Sequence, residues 1–272
     1  MIIVNLTGGL GNQMFQYAFG RHLALKNKTE LKYHFTNALF NTQRRFAINI
    51  FNIQATEATS ENLKRLNIIQ NHVINRFQYL LDERFGIRFN KHIVTQKYPY
   101  IFDHAYLLTK NDSYIQGNWT DERYFKQIEN IIRAEFTPKN KLDKKNQKIL
   151  ELIQEKLSVS IHVRRGDYIT NKANAKTFGF VGLNYYVNAI KKIKKSVSDS
   201  VFFVFSDDIN WCQDNLSPLS KNMHFIDHNK GKNSYKDLLL MGACKHNIIA
   251  NSTFSWWGTW LNTNTNKIII KP

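Results

Sequence analysis

One short run of this chain concentrates groups that do chemistry on anions: Ile161-His162-Val163-Arg164-Arg165-Gly166-Asp167-Tyr168. It follows apolar residues that read as a buried strand, so it falls at a strand's carboxyl end, where open α/β sheets bind ligands. Charged side chains leaving a buried strand are costly unless something pairs with them. Side chains alternate along a strand, so His162 and Arg164 share one face while Val163 and Arg165 take the other. That face presents an imidazole and a guanidinium together. The planar, permanently charged guanidinium suits a diphosphate. Pairing of Arg164 and Arg165 with Asp167 or other acids of the chain is the structural alternative.

Three further segments carry weaker signals. In Ile248-Ile249-Ala250-Asn251-Ser252-Thr253-Phe254-Ser255-Trp256-Trp257-Gly258 an apolar strand ends in small polar residues before a helix. The exposed amides of that helix start, with the hydroxyls of Ser252, Thr253 and Ser255, form a phosphate seat, although ordinary N-capping uses the same residue types. Trp256, Trp257 and Trp260 read as core. In Val204-Phe205-Ser206-Asp207-Asp208 a carboxylate at another strand end could accept bonds from a ribose or a base edge. Asp208 could equally cap the helix that follows. No residues with metal-ligand spacing lie nearby, so no metal is expected. The opening loop, Gly8-Gly9-Leu10-Gly11-Asn12-Gln13, lacks both the dinucleotide and the P-loop glycine spacing. It is side-chain-poor and lets backbone approach a ligand closely at Gly9, Gly11 and Asn12.

The elements that must position these groups alternate between strands and helices. Strand 2–6, a glycine loop, a helix over 12–26 and a strand over 31–35 open the chain. Residues 37–111 show no clear period; a strand over 113–117 and a helix over 121–136 restore it. The proline in Thr137-Pro138-Lys139-Asn140-Lys141 marks a linker. Helices over 143–157, 183–197, 209–216, 234–243 and 254–262 then alternate with strands over 158–164, 201–206, 223–227, 247–250 and 267–270. Such alternation predicts parallel, doubly wound sheets. The expected fold class is α/β with two Rossmann-like domains, residues 1–140 and 141–272, and a cleft between them.

Composition bounds the rest. The 272 residues are 43% hydrophobic and 13% aromatic, which excludes disorder. Two cysteines, Cys212 and Cys244, cannot form a disulfide framework and fit a reducing compartment. No apolar run reaches the roughly 18 residues of a membrane span, and the start reads as a strand rather than a signal peptide, so a cytoplasmic location is expected. The formal charge of +17 asks for an anionic partner. In Lys191-Lys192-Ile193-Lys194-Lys195 the apolar Tyr186, Ile190, Ile193 and Val197 share one helical face, which leaves the lysines solvated. Basic residues interleaved with aromatics on one face are missing, so nucleic acid is not expected as a partner.

Together, Leu6-Thr7-Gly8-Gly9-Leu10-Gly11-Asn12-Gln13-Met14-Phe15-Gln16-Tyr17-Ala18, His162-Val163-Arg164-Arg165-Gly166-Asp167-Tyr168, Phe205-Ser206-Asp207-Asp208 with Trp211-Cys212, and Asp237-Leu238 through Trp256-Trp257-Gly258 resemble glycosyltransferase family 11, the galactoside α-1,2-fucosyltransferases. The resemblance implies a GT-B-type fold, a GDP-β-L-fucose donor and metal-free inverting transfer to the 2-hydroxyl of a galactose. It also implies roles. Arg164 holds the β-phosphate, and His162 and Asp208 sit near the nucleoside. Ser252, Thr253, Phe254 and Ser255 line phosphate and base, and Asn12 approaches from the opposite domain. Asp167 is the nearest candidate base, with a loose transition state needing little base assistance as the competing idea. A galactoside in a surface polysaccharide is the expected acceptor, and the basic surface could hold the enzyme at an anionic membrane.

Overall fold

The computed structural model describes residues 1–36, 45–69, 80–81, 84, 90–166 and 181–272. The chain divides into two compact units, Met1–Asn140 and Lys141–Pro272. Each is built on a five-stranded parallel sheet.

In the first unit the strands are β1 (Ile2–Leu6), β2 (Leu31–Phe35), β3 (Thr56–Glu57), β4 (Ile93–Thr95) and β5 (Ser113–Gln116), in the order β3-β2-β1-β5-β4. Every residue of β1 is buried, as expected of a central strand covered on both faces. Helix α1 (Leu10–Lys26) follows it and is buried on nearly every face. At Gly20 a Cβ would stand 3.1 Å from both Val4 and Leu31, so the missing side chain lets the helix lie close on β1 and β2. Phe19 packs on Trp119 and Tyr124, with ring centroids 4.3 and 4.9 Å away. Strands β3 and β4 come from the stretch without a clear period. They are two and three residues long, too short to show alternation.

One expected helix is broken. Over 121–136 the chain makes two 3₁₀ turns, Glu122–Tyr124 and Lys126–Ile128, before a helix over Glu129–Glu135. The interruption is at Phe125, whose φ of −139° leaves the helical region while its ring stays fully buried. Asp121 also caps the first turn separately by accepting from the Arg123 amide at 2.9 Å. The amphipathic pattern of the segment reports buried faces of short turns rather than one helix.

In the second unit the strands are β6 (Ser158–Val163), β7 (Val201–Ser206), β8 (Met223–Ile226), β9 (His246–Ile248) and β10 (Ile269–Ile270), in the order β10-β9-β6-β7-β8. Val159, Ile161 and Val163 of the central β6 pack with Tyr186, Ile190 and Ile193 of the helix over Leu183–Ser196. Lys191, Lys192, Lys194 and Lys195 of that helix are exposed, as its apolar spacing requires. Cys212 and Cys244 are buried free thiols whose pKa values burial raises. No helix among the described residues is long and apolar enough to cross a membrane.

Candidate active site

The carboxyl ends of β6, β7 and β9 lie side by side. Register pairs Val163 with Ser206 and Ile161 with Ile248, so the residues that leave these strands emerge as neighbours. Arg164 meets Asp207 at 2.7 Å, and Arg165 meets Asp208 at 3.1 Å. The Arg165 amide also donates to Asp207 Oδ1 at 2.9 Å, so one carboxylate grips both arginines. The Arg165 guanidinium lies 3.9 Å over the Trp211 ring, a cation–π contact that fixes it against the sheet. About a quarter of the Arg164 side chain is exposed.

Gly166 is part of this arrangement. A Cβ there would sit 2.7 Å from Asp207 Oδ2, the oxygen that receives Arg164. Asp208 has two duties: it pairs with Arg165 and caps the helix over Ile209–Leu216, accepting from the Trp211 amide at 3.3 Å. Both structural alternatives raised by the sequence are therefore present, with Asp207 and Asp208 as the pairing acids. Asp167 lies outside the described residues.

His162 is buried, and its Nδ1 has no hydrogen-bond partner among the described residues. Burial, then the charge of Arg164, push its pKa down to about 4. The ring is therefore neutral at physiological pH, 5.7 Å between centroids from Phe254. The helix over Thr253–Leu261 starts beside it, and Ser252 caps it by accepting from the Phe254 amide at 3.3 Å. Ser252, Thr253 and Phe254 are half-buried, whereas Ser255 is turned inward and donates to the carbonyls of Ala250 and Ser252. The Ser255 hydroxyl serves the turn, so its expected place in a phosphate lining is not supported by its bonds. Trp257 and Trp260 are core, as their type indicated, and Trp256 is half-buried.

Gly9, Gly11 and Asn12 belong to the other unit. Gly8 has φ +71°, which favours glycine, and Gly9 caps α1 through its carbonyl, accepting from the Asn12 and Gln13 amides at 3.0 and 3.1 Å. Two buried glutamines hold this loop. Gln13 donates to the carbonyls of Gly8 and Arg45 and accepts from the amides of Ala47 and Ile48. Gln16 bonds to both the amide and the hydroxyl of Thr7 and donates to the Gly117 carbonyl.

In the sequence Asp207 stands out only as one of an acidic pair; its strand-end position beside Arg164 follows from the pairing of β6 with β7. Asp237 enters the sequence reading only within the text that resembles the family, with no role of its own. It lies beyond the carboxyl end of β8, in the helix over Tyr235–Ala243, and accepts from Asn229 at 2.8 Å. Burial raises its pKa to about 7, so near neutrality it exists as both donor and acceptor. Asn229 in turn is tied to Asn146, and Asn146 to Asp143. No group of three or more His, Cys, Asp or Glu is arranged to hold a metal among the described residues.

Comparison with known proteins places these features in a group. The profile of glycosyl transferase family 11 matches residues 1–272. The O-antigen biosynthesis glycosyltransferase WbnK of Escherichia coli is 33% identical, covering 98% of this chain and 92% of that protein. An α-1,2-colitosyltransferase of the same species is also 33% identical, over 100% and 91%. Galactoside α-(1,2)-fucosyltransferase 1 of Aotus azarae is 28% identical over 53% of this chain and 40% of its own length. Among solved structures, the fucosyltransferase NodZ from Bradyrhizobium superposes with a TM-score of 0.53 at 16% identity, covering 94% of this chain and 91% of its own. POFUT1 in complex with GDP-fucose gives 0.56 at 13%, over 99% and 97%. At such identities the likeness is one of fold. With two parallel sheets, the expected GT-B-type α/β class holds.

Proposed function

The chain belongs to glycosyl transferase family 11, and on that premise we propose that it transfers L-fucose from GDP-β-L-fucose, with inversion, to the 2-hydroxyl of a terminal galactose in a surface glycan. The observation that carries the reading is Arg164, about a quarter exposed, just past the end of a buried strand whose His162 ring meets Phe254 in the first turn of the helix over Thr253–Leu261. In this reaction the acceptor oxygen bonds to the anomeric carbon while the bond from that carbon to the β-phosphate oxygen breaks. GDP departs with the electron pair, the sugar is oxocarbenium-like between the two, and the acceptor proton passes to a base or to solvent.

Arg164 and the amides around Ser252 and Thr253 neutralise the charge that builds on the leaving diphosphate. Asp207 orients Arg164, and Arg165, held over Trp211, keeps Asp208 in place. His162 enters as a neutral imidazole and adds no charge at the nucleoside. Asp167 is assigned as base, in competition with a loose transition state that needs little help. No metal is required by this scheme. The unit Lys141–Pro272 carries the donor and Met1–Asn140 reads the acceptor.

The full-length likeness to an α-1,2-colitosyltransferase favours one second reading, a donor carrying the 3-deoxy counterpart of fucose. The likeness to an O-antigen glycosyltransferase supports a lipid-linked bacterial acceptor. The charge of +17 supports peripheral contact with the anionic inner face of a membrane.

Calorimetric titration with GDP, with and without chelator, on wild type and Arg164→Ala tests the donor site. Binding that survives chelation and is lost in the variant is expected. Turnover of GDP-fucose against GDP-colitose on lactose then decides the sugar. Absence of guanine-nucleotide binding by the wild type would overturn the proposal.

A further inference from the structure

The first unit carries an exposed aromatic ledge at the same sheet edge as the glycine loop. Among the described residues eight large hydrophobic side chains are exposed, and three of them, Tyr98 (56%), Tyr100 (65%) and Ile101 (61%), fall within four consecutive positions. Such clustering marks a contact surface rather than scattered surface apolarity. These residues follow β4, which runs parallel to β5, as β5 does to β1. The ledge, the turn after Gly117 and the Gly8-Gly9 loop therefore all leave the carboxyl edge of one sheet.

The ledge is held firmly. The Lys97 amide donates to the Tyr106 hydroxyl at 2.9 Å, and that hydroxyl donates to the Thr95 carbonyl at 3.1 Å. The Pro99 carbonyl accepts from Thr120 Oγ1 at 3.0 Å. Gln96, fully buried, accepts from the amides of Asn118 and Trp119 at 2.9 and 2.8 Å. At Gly117 a Cβ would stand only 2.4 Å from that of Gln96, so the bare glycine backbone lies directly against the Gln96 side chain. The Gly117 carbonyl accepts from Gln16, which also holds Thr7 ahead of the glycine loop. One set of bonds therefore couples the aromatic ledge to that loop. Downstream, the Asp103 amide donates to the Tyr124 hydroxyl at 3.0 Å, and Phe102 packs on Tyr124 beneath the Arg123 guanidinium. The backbone is fixed while the rings of Tyr98 and Tyr100 are left in solvent.

We propose that Tyr98 and Tyr100 form the platform on which the acceptor glycan lies, the apolar face of a pyranose stacking on the rings while the phenol hydroxyls bond to its hydroxyl groups. The inference rests on the reaction proposed above and names the residues that read its acceptor. A sugar ring is the occupant this chemistry favours. It has one C–H face and a hydroxylated rim, and the ledge offers π-faces with polar tips beside Lys97, whose amine lies 5.4 Å over the Tyr98 ring. Tyrosine gives a large, rigid contact with few rotamers to immobilise. The half-buried Asn118 and Thr120, joined to the same turn, supply further polar groups. A lipid surface would be met by contiguous aliphatic side chains, and Ile101 alone provides one here.

The test compares wild type, the Tyr98→Ala/Tyr100→Ala double variant and the Tyr98→Phe/Tyr100→Phe double variant. KM for N-acetyllactosamine, GDP affinity by calorimetry, and saturation-transfer NMR of that glycan are measured on each. Because both side chains are exposed, the variants are expected to melt with the wild type. The alanine variant is expected to raise the acceptor KM about tenfold or more, leave GDP affinity unchanged and lose saturation transfer to the sugar C–H protons. The phenylalanine variant retains most of the stacking and stays within about threefold of wild type. An unchanged acceptor KM in the alanine variant overturns the platform, and does so in favour of a membrane contact if flotation with anionic vesicles is lost instead. Failure of the wild type to transfer fucose, with tyrosine-dependent saturation transfer intact, removes the proposed reaction and leaves the platform standing. Transfer by the wild type without that signal removes the platform alone.

Discussion

The carboxyl edges of the two sheets are built from opposite materials. In Lys141–Pro272 the edge is charged: Arg164 and Arg165 are clasped by Asp207 and Asp208, and a guanidinium lies over Trp211. In Met1–Asn140 the bonds described at the corresponding edge are made mostly by neutral groups, with Lys97 beside the aromatic ledge. Gln13 and Gln16 hold the glycine loop through amide bonds, and aromatic rings project beyond it. The contrast matches the two partners of a glycosyl transfer. A leaving diphosphate needs fixed charge that stays put as negative charge develops. A neutral sugar needs shape, ring faces and hydrogen bonds. The contrast also separates two kinds of signature residue. Arg164 is paired with Asp207 at 2.7 Å and keeps about a quarter of its side chain exposed, whereas Gln13 and Gln16, in an equally legible motif, are buried and bonded within the fold.

The largest effect should come from the charged edge. Arg164→Ala is expected to lower kcat by roughly a hundredfold or more and to abolish measurable GDP binding, with little change in melting temperature. A comparable loss of stability would make Arg164 a structural residue and erase the contrast. Gln13→Ala should do the reverse, destabilising the fold by about 2–4 kcal/mol in urea unfolding, because it strands the Ala47 and Ile48 amides and two carbonyls. Its GDP affinity should stay at the wild-type value.

Gly166→Ala sharpens the comparison inside the charged edge. The new methyl group displaces the Asp207 carboxylate from Arg164, so kcat is expected to fall roughly tenfold while the fold persists. An unchanged kcat in this variant, with wild-type GDP affinity, would show that Asp207 does not orient the guanidinium.

His162 gives a pH dependence of defined sign. Its folded pKa of about 4 lies below the ordinary 6.5, so between those values the unfolded chain binds more protons than the native one. Stability is then full above about pH 6.5 and falls as pH drops toward 4, by on the order of 3 kcal/mol at the limit. His162→Gln should flatten that limb in denaturant titrations. Asp237, with its pKa raised to about 7, acts oppositely and loses stability as pH climbs from about 4 to 7. Asp237→Asn should remove that slope. The smallest effect is expected for Lys191→Glu with Lys192→Glu: a stability change within about 0.5 kcal/mol and unaltered GDP affinity, as for exposed residues on the solvated face of a helix.

Much of this was legible without coordinates, and for local reasons. The strand Ile2–Leu6, the glycine loop, the basic run after β6 and the polar start of the helix at Thr253 are written in adjacent residues, because apolar runs, glycines and caps act over one or two turns of chain. Family membership followed from the same adjacent text. The tertiary structure alone decided which side chains that text leaves for chemistry. Asp207 stands 43 residues from Arg164 in sequence and reaches it only because β6 and β7 pair in register. The Ser255 hydroxyl, so similar in type to Ser252, is spent on the Ala250 carbonyl. The break at Phe125 was invisible because a buried ring sets the backbone there. The unusual carboxyl of Asp237 comes from burial, which is a property of the packed unit and has no sequence spacing. Hydrophobic pattern and turn chemistry are short-range and fixed the elements; pairing, burial and charge depend on which distant segments meet, and only the packed sheets supplied that.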